Sequence, residues 1–216
     1  MDDADAVATP QRMANDNAAG NSAVGAAEAS PMLVVGIGAS AGGLAAYRAF
    51  FNAMPADSGM AFVLVQHLDP DYDSALADIV GDYTRMNVTK AEDGTVVTAN
   101  SVAVIPQNAI LRIENGVLLV AKPESATARR SSVDTFLVSL ARDQGENAVG
   151  IILAGYGTDG TIGIAAIKEG GGLTLSEAEF DHQAKLGMPQ SAAAGGFVDQ
   201  VLPIGEMPAV LLAHAA

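Results

Sequence analysis

The sequence predicts an α/β domain of the doubly wound kind: a mostly parallel sheet with helices on both faces, a Rossmann-like three-layer arrangement interrupted by one antiparallel hairpin. Two observations predict the wound part. From Met32 onward, short apolar runs alternate with longer stretches of helical period, as strand-helix units require. Runs such as "MLVVGIG" and "AVGIILAG" are apolar throughout, as strands covered on both faces are. The hairpin rests on Asn115-Gly116, which lies between two short apolar runs in "AILRIENGVLLVA" and suits a tight turn with two positive-φ residues.

Taken in order, "MLVVGIG" is the first strand and "GGLAAYRAFFNAM" a helix closed by Pro55. "MAFVLVQHL" is the second strand, and "SALADIVGDYTRM" a helix with Ser74 as its cap. "SVAVIPQ" is a strand leading into the hairpin. "SSVDTFLVSLARDQG" is a capped helix ended by Gly145, "AVGIILAG" a strand, "GTIGIAAIKEGG" a helix and "LTLSEA" a strand. "MPQSAAAGG" is a short helix starting after Pro189, "VDQVLPI" a terminal strand and "MPAVLLAHA" a closing helix. No repeat of fixed period appears. Residues 1–30 are Ala, Asn, Asp and Gly with almost no large apolar group, too little to offset ordering entropy, and read as a disordered tail. Residues 31–216 then form one domain.

Composition narrows the function. A net charge of −14 disfavours nucleic acid, because neutralising phosphates needs a basic surface. The acidic start lacks the uninterrupted apolar region of a secretory signal, and no apolar run reaches the ~18 residues of a spanning helix, so a cytoplasmic protein with no membrane insertion is expected. There is no cysteine, which removes disulfides, thiolate nucleophiles and cysteine metal sites. Lys122, Arg129 and Arg130 fall together in "AKPESATARRSSVD", either as a solvated loop or as a patch facing an acidic partner.

The stretch "VVGIGASAGG" supports two chemistries. From Gly36 it is the G-x-G-x-x-A turn of a dinucleotide site; from Gly38 it is G-x-S-x-G, a turn presenting Ser40 as a nucleophile. A dinucleotide site needs an acidic residue about 20 residues on, closing the second strand. That strand ends at His67; Asp69 comes later, and Asp57 belongs to the turn before it. The serine reading is therefore preferred.

Ligands of an open parallel sheet bind beyond the carboxyl ends of its strands. Ser40 after "VVGIG", His67 after "FVLVQ" and Asp159 in "LAGYGTDG" occupy such ends. A serine hydroxyl needs an imidazole to take its proton, and the imidazole needs a carboxylate to hold its tautomer. Each residue also has a structural reading: Ser40 as a helix cap or phosphate binder, His67 as a satisfied histidine, Asp159 as a turn former. His182 and His214 are assigned no role.

With "GIGASAGG", "QHLDP", "AEDG", "SVDTFLVSLA", "NAVGIILAGYGTDG", "AIKEGGG" and "GMPQSA" in this order from about Met32 to about Leu212, the chain resembles the catalytic domain of the CheB family of chemotaxis protein-glutamate methylesterases. Its "ASAGG" and "LAGYGTDG" variants are similar to those of methylesterase halves fused to a methyltransferase in hybrid signalling proteins. The resemblance implies a doubly wound fold, Ser40 as nucleophile, His67 as base and Asp159 as its carboxylate. It also implies hydrolysis of glutamate γ-methyl esters on methyl-accepting chemoreceptors or similar signalling proteins, with deamidation of glutamines. A methyltransferase or kinase module is a further expected partner, and no cofactor or metal is expected. Many members carry Thr and Met where this chain has Ala41 and Tyr156; the backbone N–H groups at both positions remain available to an oxyanion. Stand-alone members carry a receiver domain that thirty residues cannot form, so either a larger fusion or a regulating partner is expected. The rival expectation is a signalling module that keeps the fold and binds a partner without turnover.

Overall fold

The structure, a computed structural model, describes residues 32–67, 75–178 and 187–216. The expected tail, Asp69, the Ser74 cap and His182 lie outside the described residues. In chain order the first half contains β1 (Val34–Ala39), α1 (Gly43–Ala53), β2 (Ala61–Gln66), α2 (Leu76–Gly81), β3 (Asn87–Lys90), β4 (Thr95–Val96), β5 (Ser101–Val104), β6 (Ile110–Glu114) and β7 (Val117–Ala121). The second half contains α3 (Ala126–Arg130), α4 (Ser132–Gln144), β8 (Ala148–Ile152), α5 (Thr161–Glu169), β9 (Leu173–Glu177), α6 (Met188–Ala194), β10 (Gln200–Leu202) and α7 (Met207–Ala215).

Seven strands form one parallel sheet in the order β10-β9-β8-β1-β2-β5-β3. The doubly wound expectation holds. The apolar runs of β1 and β8 are buried along their whole length because helices cover both faces. On one face α1, α2 and α7 close over Phe50, Phe51 and Phe62, whose rings meet edge-on with centroids 5.2 to 5.9 Å apart. On the other, α4 and α5 bury Phe136, Leu140, Ile164 and Ile167 in a cluster that continues into Leu111 and Leu118 of the hairpin.

The hairpin forms as read, with Asn115 at φ 52° and Gly116 at φ 72°. The carboxylate of Asp143 on α4 accepts from both turn N–H groups. Three elements were not anticipated. β4, two residues long, pairs with β7 and makes the hairpin a three-stranded sheet. β3 is a short, largely exposed edge strand with too few apolar residues to stand out. α3, where the sequence left a loop, is capped by Ser125 Oγ accepting from Ala128 N at 3.0 Å. The helix expected as far as Met86 ends at Gly81, since Met86 turns back into the core and the next residues must pair with β5. α6 starts at Met188, with Pro189 inside its first turn.

The glycines of "VVGIGAS" serve packing. A β-carbon on Gly38 would lie 2.3 Å from Val133 Cγ1, and one on Gly36 2.6 Å from Leu137 Cδ2. α4 thus crosses β1 at close approach because these positions lack side chains. Gly38→Ala should cost about 1–3 kcal/mol by overpacking, read as a lowered unfolding midpoint. Val133→Ala in the same chain should restore part of the loss; no restoration would mean that this contact is not the source.

Candidate active site

The chain leaves β1 for its neighbour β2 and returns later to place β8 on the other side of β1. The boundary between β1 and β8 is therefore the switch point, where a crevice opens beyond the strand ends. Ser40 follows β1 there. Its N–H donates to Ala154 O at 2.8 Å, and Leu153 N–H donates to Gly38 O at 2.9 Å, so the β1–β8 ladder continues into the serine turn. Gly42 at φ 88° turns the chain directly into α1, and a side chain there would be strained.

His67 ends β2 on the other side of β1, its N–H reaching Ala39 O at 3.4 Å. Its ring Nε2 lies 2.8 Å from Asp159 Oδ2. The carboxylate of Asp159 accepts more: Oδ2 from Val133 N–H at 2.9 Å, Oδ1 from Asp134 N–H at 2.9 Å and from Gly160 N–H at 3.0 Å. Asp159 therefore caps α4 from across the fold, and the residue at the N-cap position, Ser131, makes no side-chain cap. With Nε2–H donating to Asp159, Nδ1 is the ring nitrogen left with a free lone pair. In the serine-protease arrangement it is Nδ1 that meets the aspartate.

Among the described residues, Ser40 Oγ forms no hydrogen bond with the His67 ring. Catalytic hydrogen bonds of this kind commonly tighten only with substrate in place. The structure thus joins His67 to Asp159 and seats Ser40 at the adjoining strand end. Ala41 and Tyr156 flank it. A β-carbon on Gly155 would lie 2.9 Å from Ser40 Cβ, which puts the Gly155-Tyr156 backbone against the serine. The N–H groups of Ala41 and Tyr156 donate to no partner among the described residues.

Two supports went unread in the sequence although their motifs stood out. In "GMPQSA", Met188 N–H donates to Gly155 O at 2.9 Å, Tyr156 bridges to Gly187, and Ser191 Oγ donates to Gly157 O at 3.0 Å. α6 thus braces the turn that faces Ser40. In "SVDTF", Asp134 sends its backbone N–H to Asp159 and accepts Gly163 N–H on Oδ1 at 2.9 Å, tying α4 to α5. A carboxylate at the third position of a helix was the available signal. Burial raises the Asp134 carboxyl above its ordinary range, the charge of Asp159 pushes the same way, and the Gly163 and Gly160 N–H groups oppose both. His214 falls in the last turn of α7 and has no part here. No cluster of three or more metal-ligating side chains occurs among the described residues, and no helix among them is long and apolar enough to cross a membrane.

A serine turn at the switch point of a doubly wound sheet, with a histidine-aspartate pair beside it, is an arrangement that serine hydrolases use. The CheB methylesterase family matches residues 35–211, and the chain belongs to that family. It is 36% identical over 184 residues to protein-glutamate methylesterase/protein-glutamine glutaminase 3 of Burkholderia orbicola, covering 85% of this chain and 54% of that protein. A relative of the same name, numbered 1, from Geobacter metallireducens is 36% identical, covering 81% of this chain and 49% of the relative. The chain spans about half the length of these relatives. The solved CheB methylesterase catalytic domain of Thermotoga maritima superposes with a TM-score of 0.74 at 29% identity, covering 84% of this chain and 98% of that one.

The raised Asp134 carboxyl sets the sign of a pH effect. A group whose folded pKa exceeds its unfolded value contributes stability below the unfolded value, near 3.9, and loses it as pH rises. Asp134→Asn keeps the acceptor for Gly163 and removes the repulsion. Its unfolding midpoint should therefore gain on wild type as pH rises from about 4 to 8. A constant offset across that range would contradict this account.

Proposed function

We propose that the chain is the catalytic domain, residues 31–216 preceded by a tail, of a serine protein-glutamate methylesterase that can also deamidate glutamine. The observation that carries this reading is the His67–Asp159 pair, locked to the α4 N-terminus beside the Ser40 turn. Family membership supports it.

In the first half-reaction Ser40 Oγ attacks the γ-carbonyl carbon of the ester while His67 Nδ1 takes the hydroxyl proton. The oxyanion of the tetrahedral intermediate accepts from the N–H groups of Ala41 and Tyr156. Collapse breaks the carbonyl carbon to methoxy oxygen bond, and Nδ1–H protonates the leaving group, giving methanol. In the second half-reaction water attacks the acyl carbon, His67 takes its proton and returns one to Ser40, and the glutamate side chain leaves as a carboxylate. A glutamine substrate follows the same path with ammonia as the leaving group. Asp159 fixes the ring so that Nδ1 faces the serine and stabilises the imidazolium of both intermediates. We further infer that the substrate is a methyl-accepting chemoreceptor or similar signalling protein in the cytoplasm. A methyltransferase or kinase module is the expected regulatory neighbour.

Ser40→Ala should abolish release of methanol from a glutamyl methyl ester and labelling by a fluorophosphonate, with little change in unfolding midpoint. His67→Ala should lose nearly as much activity, because the residues act as one unit. Asp159→Asn should retain activity on the order of 10⁴-fold below wild type. Unlike Ser40→Ala, it should also lower stability by about 1 kcal/mol, because it weakens the cap of α4. Full activity in Ser40→Ala, or no label on wild type beside a labelled control hydrolase, would favour the partner-binding module instead.

A further inference from the structure

Behind the carboxylate that holds His67 stands a second one. Asp134, the third residue of α4, donates its backbone N–H to Asp159 Oδ1 at 2.9 Å, and its own Oδ1 accepts Gly163 N–H of α5 at 2.9 Å. The N–H of Gly160, which donates to Asp159 Oδ1 at 3.0 Å, also faces the Asp134 carboxyl. One residue thus spans the starts of two helices, and each of those starts supplies a donor to Asp159.

Bracing alone does not account for the charge. An asparagine would accept from Gly163 N–H as well and would not repel Asp159. The half-buried carboxyl of Asp134 ionises against both desolvation and its neighbour's charge. Cations give no direct compensation. Arg112 of β6 and Arg142 of α4 line the cavity of about 430 Å³ beside Asp134, and α3 ends in Arg129 and Arg130 just ahead of α4. None of the four forms an ion pair among the described residues. On α5, Lys168 is engaged with Asp199 and Glu169 ends the helix. Toward the strand ends the titratable neighbours are Asp159 and, 2.8 Å from it through Nε2, His67.

The charge finds its use across Asp159. A negative group behind the aspartate deepens the potential at the imidazole and favours the imidazolium over the neutral ring. Resting on the esterase reading, we propose that Asp134 is a positioning residue of the reaction. Its ionised carboxyl, anchored to α5, holds the Asp159–His67 pair in place and supplies the second negative charge that stabilises the imidazolium of both half-reactions. A group that lowers stability while favouring a reaction intermediate is a familiar exchange at active sites.

Asp134→Asn isolates the charge, because the amide keeps an acceptor for Gly163 and the backbone N–H to Asp159 is untouched. On the full chain with a glutamyl methyl ester, kcat at pH 8 should fall about three- to tenfold with KM little changed. The acid limb of the kcat/KM profile should move down by about 0.5–1 pH unit, because the base sheds its proton more readily without the second charge. Asp134→Glu, which restores the charge, should return the limb toward its wild-type position. A purely structural role would lower kcat and leave the limb where it is, so a limb unmoved in Asp134→Asn overturns the proposal whatever kcat does. Should Asp134→Asn not fold, Asp134→Ser carries the same comparison. Titration of the His67 ring by NMR reads the shift without turnover. If wild type hydrolyses no ester, the esterase reading fails, and the hold of Asp134 on His67 is decided by that titration: a lower midpoint in Asp134→Asn supports it, and equal midpoints overturn it.

Discussion

One carboxylate organises this molecule's carboxyl edge. Asp159 gathers four donors: the His67 ring, the first-turn N–H groups of Val133 and Asp134, and the N–H of Gly160. It is almost fully buried, and a buried carboxylate persists only when its oxygens are satisfied in this way. The orphan donors of a helix N-terminus and the anion solve each other's problem. The same bonds then orient the imidazole.

Packing prepares that arrangement. α4 reaches β1 closely because Gly36 and Gly38 carry no side chain, and this approach places its first turn over the switch point. Gly155 plays the corresponding part on the other strand, leaving room for Ser40 and for Met188 of α6. Glycines that look in sequence like a phosphate loop are thus explained by helix-to-sheet distance. The cost is density: a β-carbon on Gly155 would lie 2.5 Å from Met188 Sδ and 2.9 Å from Ser40 Cβ, so a single added methyl group would displace the serine turn.

The inverted use of the imidazole follows from topology. β2 and β8 lie on opposite sides of β1, so His67 and Asp159 approach the Ser40 turn from opposite flanks. From that direction the ring meets Asp159 through Nε2. In the proposed triad the two ring nitrogens exchange the roles they have in serine proteases. Burial and the neighbouring charge of Asp159 push the Asp134 carboxyl above its ordinary range.

Much of this was legible in the residue order. Apolar runs alternating with helical period specified the wound sheet, Asn115-Gly116 specified the hairpin, and three polar residues just after strands specified the candidate site. These signals are local, and local steric and solvation preferences decide them. β3, β4 and α3 were not legible, because an exposed edge strand, a two-residue strand and a one-turn helix bury too little to impose a period. The roles of Asp134 and of α6 were not legible either: both act across the fold, from residues separated by 29 positions for Asp134–Gly163 and 34 for Gly157–Ser191. Which nitrogen of His67 meets Asp159, and which carboxylate caps α4, are likewise matters of approach direction. The sequence by itself determined the fold class and pointed to Ser40, His67 and Asp159 as the candidate groups. Only the tertiary structure decided how those groups face one another, because facing depends on strand order and helix distance, which no local pattern encodes.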